Sequence, residues 1–248
     1  MRGGFALALI VALAGCALPA PRISPPAGSA SPAEAAPPIP DARAWCEARL
    51  AAGGEGRLLA LDADGSTVRI HAFRGGRAAA LGHNHVLAPQ RWRGWAYQPA
   101  SGLAGAGLAL DLALEDLALD RPEWRAALGP EFASPLSPQA IAATQANLRR
   151  ALNAERHPLL QLRADAGAGA WPWLALRLTV TLNGQPRPLD LVLRLQQDGE
   201  ALWARGQLLL RPSDFGLQPF SVLGGLLAVQ DEVVVDLAVR ARPAADCR

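Results

Sequence analysis

Leucine and valine recur at every second position through most of the second half of the chain, and this period restricts the fold more than any other feature. Leu176, Leu178, Val180 and Leu182 run into Asn183-Gly184, and Leu189, Leu191, Leu193 and Leu195 run out again. Residues two apart on a strand face the same side, so each run predicts a strand with one apolar and one wet face. Asn-Gly accepts positive φ at both central positions. The inward parity is even before it and odd after it, as a two-residue turn requires. Leu108, Leu110, Leu112 and Leu114 form another run, after which the parity switches to Leu117 and Leu119; one extra residue at Glu115-Asp116 predicts a β-bulge there. Val68, Ile70 and Ala72, Leu202 to Leu210, and Val233, Val235, Leu237 and Val239 supply further strands. About eight strands predict an all-β fold, an antiparallel eight-stranded barrel. Closure removes exposed edges and leaves room for one small ligand.

One helical insertion interrupts the alternation. Ser137 is placed to cap a helix with Pro138 at its first position. Ile141, Leu148 and Leu152 then share a face, and Asn153 is a stop. Arg121 to Leu128 suggests a shorter helix, and Asp41 to Leu50 one short helical turn.

The 248 residues are 50% hydrophobic and 19% charged, with formal net charge +2. That balance excludes disorder over the whole chain and leaves no nucleic-acid footprint. Lysine is absent, which rules out Schiff-base chemistry. No Gly-x-Ser-x-Gly elbow, Gly-x-Gly-x-x-Gly opening or Walker A sequence occurs, and Ser213-Asp214 reads as a turn. Tryptophans 92, 95, 171, 173 and 203 read as packing ahead of a sugar-stacking surface.

The N-terminus points to export. Arg2 and the apolar run Phe5 to Leu13 have signal-peptide length. Leu13-Ala14-Gly15-Cys16 resembles a bacterial lipobox, which implies a lipoprotein signal over 1–15, lipidation of Cys16 and a membrane anchor on the periplasmic side. With Ala17 next, that anchor is expected in the outer membrane. The Ala-, Pro- and Ser-rich stretch completing 16–40 reads as an extended tether, and 41–248 as the barrel domain. Two cysteines remain, Cys46 just before the barrel and Cys247 just after its last strand. The first and last strands of a closed barrel are neighbours, so an exported protein is expected to pair them.

Gly82-His83-Asn84-His85 holds the densest histidine cluster. A two-residue turn at Gly75-Gly76 would pair Val68 with His83 and Ile70 with Leu81. Both histidines would then share the inward face, with His71 on the opposite one. Three roles are open to the pair: contact with a ligand headgroup, half of a metal site completed by His157 or a carboxylate, or hydrogen-bonded structural histidines.

The segment Leu210-Arg211-Pro212-Ser213-Asp214-Phe215-Gly216-Leu217, followed by the valine-rich strand Asp231 to Val239, resembles the closing signature of the YceI-like family. Leu117 to Asp120, His157 to Leu162, and Leu178 to Leu182 with Asn183-Gly184 fall in that family's order. The resemblance implies a lipocalin-like periplasmic barrel holding a polyisoprenoid or isoprenoid quinone, with no catalysis. Val68, Ile70, Leu81, Leu178, Val180 and Phe215 are the candidate apolar lining, and His83 and His85 the candidate headgroup contacts. The alternative is a metal-binding protein or metal-dependent enzyme using His83 and His85.

Overall fold

The computed structural model describes residues 41–248; the expected signal segment, Cys16 and the tether lie outside the described residues. Chain order runs α1 (Ala42–Ala52), β1 (Gly56–Gly75), β2 (His85–Pro89), β3 (Trp92–Pro99), β4 (Gly107–Ala113), β5 (Leu117–Leu119), α2 (Pro122–Ala127), α3 (Pro138–Ala151), β6 (Leu159–Ala164), β7 (Gly167–Ala170), β8 (Trp173–Leu182), β9 (Gln185–Asp198), β10 (Ala201–Leu210), β11 (Ser221–Val222) and β12 (Leu227–Pro243). Strands β1, β3, β4, β6, β8, β9, β10 and β12 pair in that order, and β12 returns to β1 through a register from Leu59↔Pro243 to Gly75↔Ala228. The result is a closed, antiparallel, eight-stranded barrel, as the alternation predicts.

Two walls of the barrel are broken near one end. β2 and β3 both run along β1, with a break at residues 90–91. Their outer neighbours β4 and β5 are split by a single 3₁₀ turn, Leu114–Asp116. That turn stands where the bulge was expected and does the same work: Leu112 and Leu114 before it, and Leu117 and Leu119 after it, are all buried. Arg91 bridges the break by pairing with both Glu115 and Asp116.

Elsewhere local chemistry explains the elements directly. Asn183 (φ 53°) and Gly184 (φ 69°) form the two-residue turn, and Leu182 pairs with Gln185 across it. The Ser137 hydroxyl accepts from the Ala140 amide at 3.1 Å and starts α3. Ile141, Leu148 and Leu152 then lay that helix on the core, and Asn153 (φ 52°) ends it. Asp41 caps α1 through the Ala44 amide at 2.7 Å. This helix runs eleven residues rather than one turn, because it has a face to bury. Ala42, Trp45 and Cys46 pack on the outer wall against Leu58, Trp95 and Ala109. A Cys46–Cys247 disulfide, Cα–Cα 5.9 Å, staples it to the chain end, as expected.

The turn expected at Gly75-Gly76 is not a hairpin. β1 continues to Gly75 because β12 pairs with Arg74 and Gly75. The chain then makes a 3₁₀ turn at Ala79–Leu81 and resumes as a strand only at His85. The observed partners are Ala72↔His85 and Ile70↔Leu87, so Val68 does not meet His83 and Ile70 does not meet Leu81.

Candidate functional site

Beneath α3, at the end where the walls are broken, the barrel holds a partly open cavity of about 230 Å³. Ile70, His85, Leu119, Leu148, Leu160 and Val235 are among its lining, which is almost wholly apolar. A second cavity of about 120 Å³ occupies the other end, lined by leucines such as Leu59, Leu110, Leu162 and Leu195. The two adjoin along the strands. Leu112, Leu160 and Val235 line the first, while Leu110, Leu162 and Leu237, the next inward residues, line the second. The lumen therefore holds two apolar cavities separated by a packed waist. On β8 the waist falls at Leu178 and Val180, both essentially inaccessible, between Leu182 of one cavity and Leu176 of the other.

The candidate residues divide accordingly. Ile70 and His85 line the larger cavity. Val68 sits opposite Leu237, and so shares its inward face, but lines neither cavity. Leu178 and Val180 form the waist, and Phe215, 1% exposed, fills the core. Leu81 does not belong to the lining at all: it sits on the 3₁₀ turn, 75% exposed. His83 is likewise absent from it, because the chain at that point has not yet rejoined the sheet.

His85 is held by groups that the sequence did not single out for this role. Its Nδ1 lies 2.6 Å from Asp120 Oδ2. Asp120 is 2% exposed and accepts at Oδ1 from the Val86 amide at 3.0 Å and from Arg125 Nη1 at 2.8 Å. The buried Arg125 also donates to the Asn84 carbonyl (2.8 Å) and to the Ser134 carbonyl (3.0 Å) and hydroxyl (3.2 Å). His83 Nδ1 meets the same Ser134 hydroxyl at 2.9 Å. Asn84 donates to the Glu131 carbonyl at 3.1 Å and accepts the Arg74 amide at 3.0 Å. One polar network, outside the lumen wall, thus fixes the His83–His85 segment against the α2 region.

The charges in this network follow from its contacts. Burial alone would raise the Asp120 carboxyl, but hydrogen bonds from His85, Val86 and Arg125 outweigh it and hold it below the ordinary 3.8. Burial first, then the proximity of His85 and Arg125, hold the His83 imidazole below 6.5. An ionised Asp120 requires a proton on His85 Nδ1. In the neutral ring this leaves Nε2 unprotonated, an acceptor matched to a hydroxyl.

A metal reading finds no support in this geometry. The two Nδ1 atoms point to different partners, Ser134 and Asp120. His71 packs edge-on to Phe132, and His157 lies beside Gly184. Among the described residues no three His, Cys, Asp or Glu side chains are placed to hold an ion. Of the tryptophans, Trp92 and Trp95 pack inward or against α1, while Trp171 and Trp173 are exposed.

Sequence reasoning missed Arg125 and Ser134, and met Asp120 only within a family segment. A lone aspartate before Arg121-Pro122 reads as the start of a helix. In the structure Arg121 takes the cap position, and Asp120, at φ 51°, turns its carboxylate back to the sheet. The one available signal was a charged residue ending a strictly apolar strand.

No family model matches the chain, and no curated protein matches it in sequence. Solved structures match its fold. BcnA of Burkholderia cenocepacia aligns with TM-score 0.53 and 11% identity over 73% of this chain and 98% of its own. A polyisoprenoid binding domain from Saccharophagus degradans, implicated in plant cell wall breakdown, aligns with TM-score 0.52 and 12% identity over 77% of this chain and 100% of its own. The barrel is thus the lipocalin-like fold that the sequence resemblance implied.

Proposed function

We propose that this chain is a non-catalytic binding protein of the YceI-like type. It takes an isoprenoid or similarly apolar molecule into the barrel, with a hydroxyl-bearing end at His85. The observation that carries the reading is the apolar lumen beneath α3, interrupted on β2 by one histidine that is hydrogen-bonded from behind by Asp120. Burying a ligand tail there is worth about 25 cal/mol per Å² of apolar surface, and the ring supplies orientation. The fold-mate from Saccharophagus degradans, a polyisoprenoid binding domain, supports the same ligand class. The lipobox-like segment ending at Cys16 supports a carrier anchored on the periplasmic side, in the outer membrane.

Extraction of the purified full chain with organic solvent, followed by mass spectrometry, tests this. A co-purifying prenyl lipid, or saturable binding of farnesol by the extracted protein, is the expected result. No extractable apolar molecule and no farnesol binding would overturn it. His85→Leu should keep tail binding and lose the preference for a prenol over the matching hydrocarbon.

A further inference from the structure

Two loops meet beside the mouth of the larger cavity. One is 75–82, which carries the 3₁₀ turn; the other is the β11–β12 hairpin tip, Val222 to Leu227. The Ala78 amide donates to the Leu226 carbonyl at 2.9 Å, and a Cβ on Gly76 would stand 2.6 Å from that oxygen, so the loops abut. The hairpin rises from the cavity rim itself: Gln218, Pro219 and Phe220 before it and Val229 and Gln230 after it are lining residues.

What these loops show to solvent is unusual. Leu81 is 75% exposed, Leu223 72% and Val222 38%. Leu223 is held outward at φ 53°, a conformation that a leucine rarely adopts. Across 75–82 and 216–230 the only charged residue is Arg77. Arg77 is exposed and forms no ion pair among the described residues.

We propose that this paired tip docks on a lipid bilayer, with Leu81, Val222 and Leu223 entering the acyl boundary and Arg77 facing the lipid phosphates. Single exposed leucines are ordinary on a soluble surface. Three apolar side chains on two abutting loops, ringed by alanine and glycine and flanked by one unpaired cation, have the chemistry of an interfacial anchor. Their place at the cavity rim gives the contact a use, since an apolar ligand would pass between bilayer and lumen without crossing water. This use rests on the binding reading above; the bilayer contact does not.

The two are tested separately on the full chain in vesicles of phosphatidylcholine and phosphatidylglycerol. A diazirine analogue of leucine at position 223, photolysed and analysed by mass spectrometry, should yield lipid adducts at least tenfold above the same probe at position 192 on the outer wall. Equal yields, or adducts to protein instead of lipid, would overturn the proposal. The Cys46–Cys247 disulfide in the unreduced mass serves as the check on folding. Leu81→Glu with Leu223→Glu should slow prenol transfer from vesicles at least tenfold, while binding of a water-soluble short prenol stays intact. Absent prenol binding with position-specific lipid adducts would sink the cavity reading and leave the docking surface standing.

Discussion

Asp120→Asn isolates the group on which the site turns. The change keeps shape and volume, and asparagine tolerates the left-handed conformation at φ 51° as well as aspartate does, so backbone strain does not confuse the result. It removes the counter-charge of Arg125, which is only 6% exposed. Breaking a buried ion pair from one side costs about 3–5 kcal/mol. Arg125 keeps its bonds to Asn84 and Ser134, and the amide oxygen still accepts from both Oδ1 donors, the Val86 amide and Arg125. The lower end, about 3 kcal/mol, is therefore expected, a fall in Tm of roughly 6–12 °C for a domain of this size.

The same change also inverts the chemistry of the cavity. The new amide NH₂ faces His85 Nδ1, which must then accept, so the proton moves to Nε2 and the ring becomes a donor to the ligand. Wild-type protein should prefer farnesol over a short-chain quinone, and the variant the reverse, in competition binding at neutral pH. In the wild type, the folded-state carboxyl lies below its unfolded value of 3.8. Its contribution is thus complete above that pH and lost as pH falls through the folded value, so the stability gap between the two proteins should close only in acid. A variant within 1 kcal/mol of wild type (roughly the size of one ordinary hydrogen bond), with unchanged ligand preference, would refute the network as the determinant of the site.

Gly184→Val should cost at least about 1–2 kcal/mol in urea unfolding, since φ is 69° and a Cβ would stand 2.8 Å from His157 Cε1. Replacing Cys46 and Cys247 by serine opens a link across 201 positions; a loss of about 2–5 kcal/mol is expected, with a two-proton mass shift on reduction of the parent confirming the bond. Ala151→Trp on α3 fills the larger cavity and should weaken farnesol binding at least tenfold while leaving the unfolding midpoint nearly unchanged. His83 is held below 6.5, so the unfolded chain takes up its proton first and this residue lowers stability as pH falls beneath that value. His83→Gln should flatten the difference in urea midpoint between pH 7 and pH 5.

Where one local rule decides the outcome, the sequence was sufficient. The Asn183-Gly184 turn, the Ser137-Pro138 cap and the parity switch before Leu117 each depend on residues within a few positions of one another. The disulfide is the instructive long-range success, because closure makes the two chain ends neighbours whatever the details between them. The Gly75-Gly76 hairpin failed for the opposite reason. Paired glycines permit a tight turn but do not demand one. Here β1 is kept extended to Gly75 by β12, a partner more than 150 residues away. That error carried Leu81 and His83 into the lumen on paper, and the structure puts one on the surface and the other against Ser134.

The position of the network outside the wall explains how its charges are kept out of a lumen whose other polar lining is the uncharged Thr144, Asn147, Gln218 and Gln230. Asp120 and Arg125 satisfy each other and the surrounding backbone, so of this network only His85 reaches the lumen. An acceptor in an apolar cavity costs about 1–3 kcal/mol when left unmatched. A hydroxyl on an incoming chain recovers that amount, whereas a plain hydrocarbon of the same length does not. The apolar rows therefore set how tightly any tail binds, and the His85 ring contributes a preference between tails of roughly 5- to 150-fold, the equivalent of about 1–3 kcal/mol. Selectivity of that size depends on the ring being held in one tautomer, and it is the buried carboxylate, not the lumen, that holds it there.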